Sequence, residues 1–135
     1  MPSTRSDGFS RDGPPGHSRL TAAISTAVVH VFSQYTGRGP TKARTTIDGE
    51  LVVVILRDGM TKGERALVIG GREDEVLQLR RAFQDNMRHD LVAVIERLTE
   101  RSVEAFMSAN HTNPDAGAEI FLLDGDVAYD KAALR

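Results

Sequence analysis

The sequence predicts an α+β fold in two layers: an antiparallel four-stranded sheet packed by an N-terminal helix and one long helix, in the order α-β-β-α-α-β-β. Three observations carry this. Apolar residues recur at spacings of three and four from Leu20 to Tyr35 and again from Val76 to Leu98, the period of a helix face. Two pairs of short apolar runs are each joined by turn-forming residues, the sign of a hairpin. The strands therefore arrive as hairpins and segregate from the helices.

Composition sets the frame. The chain has 135 residues, which fits one domain. It has no cysteine, so disulfides, thiolate metal sites and cysteine nucleophiles are excluded. Seventeen Lys and Arg against nineteen Asp and Glu give a formal charge of −2, which disfavours a globally basic nucleic-acid binder. The longest run of large aliphatic residues, Leu51 to Leu56, has six members. A membrane-spanning helix needs about 20, so none is expected, and no signal-peptide core is visible.

Residues 1–17 are expected to be a disordered tail, because Ser, Asp, Gly and Arg around Pro14-Pro15-Gly16 cannot bury enough surface to offset ordering entropy. Residues 18–124 form the expected domain and residues 125–135 a C-terminal tail. In the first helix Leu20, Ala23, Ile24, Ala27, Val28, Val31, Phe32 and Tyr35 share one face, with Ser18 as the expected N-cap and Gly37 at the stop. Ala43 to Ile47 and Leu51 to Leu56 flank Asp48-Gly49, a tight-turn signal. The second arm is apolar on both faces, so it is either central in the sheet or covered on its second face, and a second copy is the suggested cover. Thr61-Lys62-Gly63-Glu64 has the spacing of a capping box and predicts a short helix over 62–69, broken by Gly70-Gly71.

The longest element is expected from about Arg72 to Thr99, with a stripe of Val76, Leu79, Phe83, Met87, Leu91, Val94 and Leu98. Such a helix spans roughly 40 Å, whereas a short strand spans about 17–20 Å. The stripe is thus expected to bend or to overhang and meet a partner. Val103 to Asn110 and Ala118 to Leu123 enclose a polar loop and make the second hairpin.

Several motifs fall in a shared order. They are Tyr35-Thr-Gly-Arg-Gly-Pro40, Leu51-Val-Val-Val54, Met60-Thr61 with Glu64, Arg81-Ala-Phe83-Gln84 with Met87, and Ile95-Glu-Arg-Leu-Thr-Glu-Arg101. Val103-Glu-Ala-Phe-Met-Ser108, Asn113-Pro-Asp115 and Glu119-Ile-Phe-Leu-Leu123 follow. Together, over Ser18 to Asp124, they resemble the MpsC-like family, a bacterial domain of unknown function named for a Na+-translocating membrane-potential-generating system. The resemblance implies an accessory role beside membrane complexes that move ions or inorganic carbon, and it supplies no catalytic residues. One departure stands out: Leu98-Thr99-Glu100-Arg101 has Glu100 where the family pattern has glycine, which leaves the helix end open by a residue or two.

Arg38, Lys42 and Arg44 are the candidate anion or partner contact. They belong to a basic first third: residues 1–44 hold six Lys/Arg and two Asp/Glu, the remainder 11 and 17. A Gly-rich basic loop can cradle an oxyanion, but this one lacks the P-loop spacing and follows a helix instead of opening one. A helix stop with a charged edge-strand guard is the plainer account. Val53, Ile55, Phe83, Met87 and Leu91 are the candidate partner interface. The four histidines lack ligand spacing, and a set of His111, Asp115 and Glu119 is better explained as turn chemistry; no metal, cofactor or catalytic group is expected. His89-Asp90 has no nucleophile near it.

The expected function is that of a non-enzymatic, cytoplasmic accessory or interaction protein. It is expected to form a homodimer and to touch an ion or bicarbonate transport complex at the inner face of the membrane. The alternative is an anion- or nucleic-acid-binding module using Arg38, Lys42 and Arg44. An enzyme acting on small acidic substrates ranks last.

Overall fold

A computed structural model describes residues 15–129. After a short 3-10 turn at Pro15–His17 come α1 (Ser18–Thr36), β1 (Lys42–Asp48), β2 (Leu51–Arg57), α2 (Lys62–Ile69), α3 (Glu73–Thr99), β3 (Val103–His111) and β4 (Ala116–Leu123). The strands form one antiparallel sheet in the order β1-β2-β4-β3. This is the α+β architecture and element order that the hydrophobic periods predict. The expected tail over residues 1–17 falls almost wholly outside the described residues.

Local chemistry accounts for the boundaries. In α1, Thr21, Ile24, Val28, Val31 and Phe32 form the buried face. The expected Ser18 cap is displaced: the residue at the N-cap is His17, whose side chain makes no capping bond. Ser18 is the first helical residue, and its carbonyl accepts from Thr21 Oγ1 at 3.1 Å. Gly37 ends the helix at φ 80°, its N–H donating to the Ser33 carbonyl at 2.9 Å. The first hairpin turns one residue later than the Asp-Gly pair suggests. Asp48 pairs with Leu51, leaving Gly49 and Glu50 as the loop, with positive φ at Gly49 alone, the pattern of a II′ turn. Ahead of α2 the capping box is complete: Glu64 N–H donates to Thr61 Oγ1 at 3.1 Å and Thr61 N–H to Glu64 Oε1 at 2.8 Å.

The long helix corrects two expectations. Its buried row is Val76, Gln84, Met87, Leu91, Ile95 and Thr99, rotated from the predicted stripe so that Leu79 is 42% exposed. The helix is also covered along its length by its own chain, from Val76 at 0% exposure to Thr99 at 6%. β3 reaches nine residues and β4 eight, and α2 packs against α3. The predicted overhang is therefore closed within the chain. Its end lies at Glu100, which takes the left-handed position at φ 58° and donates its N–H to the Glu96 carbonyl.

The core lies between the helices and one sheet face. Ile24, Val28 and Phe32 of α1 meet Ile47, Val52, Val54, Phe121 and Leu123 of the sheet and Met87, Leu91 and Ile95 of α3. Packing continues past the predicted boundary at 124: Val127 is buried, and His17 Nε2 donates to its carbonyl at 3.3 Å.

Candidate interaction surface

Strand parity divides the sheet into a covered and an open face. Val52, Val54 and Leu56 of β2, and Glu119, Phe121 and Leu123 of β4, are buried toward the helices. The residues between them point the other way. Register sets Val53 opposite Ile120, Ile55 opposite Ala118 and Leu51 opposite Leu122; on the far side Met107 faces Ile120 and Ala105 faces Leu122. The result is an apolar band across three strands that includes Ile55 at 38%, Met107 at 50% and Leu122 at 36% exposure. α1 packs on β1 and α3 on β3, both from the core side. The physical cause is in the sequence: β2 and β4 do not alternate apolar with polar residues as a half-exposed strand does.

The predicted interface residues divide between two places. Val53 and Ile55 lie on this open face. Met87 and Leu91 have 0% exposure inside the chain's own core, and Phe83 is half-buried against it. Met87 and Leu91 therefore offer nothing to a partner, and that part of the expectation is corrected. They read as surface because an overlong stripe suggested a missing cover, which α1 and the sheet provide.

The three basic candidates do not converge. Arg38 Nη1 donates to the backbone carbonyls of Asp58 at 2.5 Å and Met60 at 2.9 Å, pinning the loop before β1 to the loop after β2. Arg44 lines a shallow cavity with Thr21, Ser25 and Thr45 at the β1–α1 edge. Lys42 is exposed at the start of the edge strand. This is the geometry of a loop clamp and a charged edge.

A buried polar cluster was not foreseen. Glu119 on β4 is fully buried. Its carboxylate accepts from Ser108 Oγ and from Gln84 Nε2, the latter at 3.0 Å. Gln84 and Asn110 exchange two further bonds, Gln84 Nε2 to Asn110 Oδ1 at 2.9 Å and Asn110 Nδ2 to Gln84 Oε1 at 2.8 Å. Burial pushes the Glu119 carboxyl up to about 7, against the pull of its bonds from Ser108 and Gln84. Nearby, Arg80 pairs with Glu64 at 2.9 Å, joining α3 to the cap of α2. Tyr35 donates to Asp90 at 2.7 Å, a bond that raises the tyrosine pKa. Among the described residues no group of three or more His, Asp or Glu is arranged to hold a metal ion. His111 Nδ1 instead donates to the Pro114 carbonyl at 2.9 Å.

Fold and surface together define a two-layer α+β protein in which, among the described residues, one apolar sheet face is left uncovered. No helix among the described residues is long and apolar enough to cross a membrane. Residues 17–125 match the family model described as "Na+-translocating membrane potential-generating system (MpsC)", and the chain belongs to the MpsC family. Comparison with curated proteins and with solved structures gives no match.

Proposed function

We propose that this chain is a non-enzymatic interaction subunit of a Na+-translocating, membrane-potential-generating system, and that it works as a homodimer joined through the open sheet face. The observation that carries the proposal is the apolar band of Val53, Ile55, Ile120, Leu122 and Met107. Two such faces can stack as in a sandwich, about 10 Å apart, and remove that band from water. The family description supports the tie to ion translocation. On this reading the chain sits on the cytoplasmic side and reaches the membrane, peripherally, through the complex it serves. The competing reading, an anion or nucleic-acid site at Arg38, Lys42 and Arg44, loses support because Arg38 is committed to two backbone carbonyls.

The test is analytical ultracentrifugation of the full chain and of the double variant Ile55→Asp, Met107→Asp. Wild type is expected to sediment as a dimer and the variant as a monomer with an unchanged far-UV spectrum. A wild type that stays monomeric at every concentration removes the dimer. The link to ion translocation is tested in cells lacking the chain, using a potential-sensitive dye. Lowered membrane potential restored by wild type supports it; an unaltered potential opposes it.

A further inference from the structure

The helix side of the sheet carries a second feature, independent of the open face. Between α3 and β3 lies a cavity of about 270 Å³, near the lower end of the range for small-molecule pockets, roughly 300 Å³. Its α3 wall presents Arg81 and Arg88, which stand seven residues and so about 10 Å apart along the axis. Among the described residues neither guanidinium has a carboxylate partner. Arg88 lies over the Phe106 ring, 5.1 Å from its centroid. A guanidinium held over an aromatic face can still donate from its N–H groups.

The opposite wall and floor are polar and held in place. Asn110 and Gln84 are locked by their reciprocal bonds, and Gln84 is anchored in turn on buried Glu119. Ser108 also lines the space, and since its hydroxyl proton goes to Glu119 it offers the oxygen as an acceptor. Asn110 donates one amide proton to Gln84 and retains the other. Asp85 is the one acid on the lining, against two arginines. Arginines on a solvated helix face need no such floor.

We infer that this cleft binds a small organic oxyanion, its carboxylate or phosphate group held by Arg81 and Arg88 and its polar remainder by Asn110 and Ser108. Guanidinium forks match the paired oxygens of either group. The volume is of the size that a small molecule fills.

The experiment is a heteronuclear NMR titration of the full chain with inorganic phosphate and, separately, with succinate, at constant ionic strength set with chloride. Saturable shifts confined to resonances of Arg81, Gln84, Arg88, Ser108 and Asn110 are expected with at least one probe. Arg81→Ala with Arg88→Ala is expected to weaken that binding at least about tenfold, and the double lysine variant to fall between, because a lysine keeps the charge and loses the fork. Arg97→Ala, exposed on the same helix, is expected to bind as wild type. Because these arginines are exposed, the wild-type spectrum should persist elsewhere. Absence of saturable shifts with both probes overturns the inference. So does equal weakening by Arg97→Ala, or binding seen only with a polyanion such as heparin.

Discussion

Replacing Glu119 with glutamine should make the protein more stable at alkaline pH and remove a pH dependence the wild type must have. The carboxyl titrates at about 7 in the folded chain against 4.5 when solvated. That difference corresponds to about 3 kcal/mol. The sign follows from which state holds the proton. Below about pH 4.5 both states are protonated and Glu119 sits neutral in its site, so its contribution is fully present. As pH rises through about 7 the unfolded chain has already released its proton while the folded one must ionise a group cut off from water, and the contribution is lost. Glutamine has nearly the same shape and does not ionise; it can accept from Gln84 and donate to Ser108 Oγ. Urea unfolding followed by circular dichroism, at one protein concentration and at steps from pH 4.5 to 8, measures the effect. At pH 8 the variant midpoint should exceed wild type by roughly 2 M, taking a slope of about 1.5 kcal/mol/M. The two should converge toward pH 4.5. Parallel stability curves across that range would refute the assignment of a buried, proton-holding Glu119.

Three further substitutions probe the fold. Met87→Ala, at a position with 0% exposure, should cost about 2–5 kcal/mol in chemical denaturation, with an unchanged oligomeric state in sedimentation because the residue faces its own core. Glu100→Gly relieves a left-handed residue at φ 58° and should raise the unfolding free energy by up to about 1 kcal/mol, the relief being partly offset by the freer unfolded chain. Thr61→Ala removes one half of the capping box and should cost about 1 kcal/mol, with amide exchange accelerated first in α2.

The elements that follow simple periods are legible in the sequence. The α1 face, the Thr61–Glu64 box and the two hairpins each rest on local rules of spacing and turn chemistry. The two-faced character of Leu51 to Leu56 announced the open face for the same reason. The long helix was harder, because its polar and apolar rows lie close in phase. Leu79 fits a three-four spacing yet faces water, while Gln84 is in phase with Met87, Leu91 and Ile95 and is buried with them. A polar residue inside an apolar row signals a buried partner only once that partner is known. For Gln84 the partner is Glu119, whose parity with Phe121 and Leu123 places it on the core face. That parity is in the sequence, but a glutamate in a short strand is ordinarily assigned to solvent. Arg38 shows the reverse limit: its charge invited a ligand, and its actual acceptors are carbonyls about twenty residues away that no pattern reveals.

The contact between His17 and Val127 brings the two ends of the described fold together. In effect the backbone is a ring opened at one point, and the order of elements records only where the opening falls. A short peptide bridging those two residues could close the ring, and a fresh opening at the Gly49-Glu50 turn would leave every strand pairing of the sheet intact.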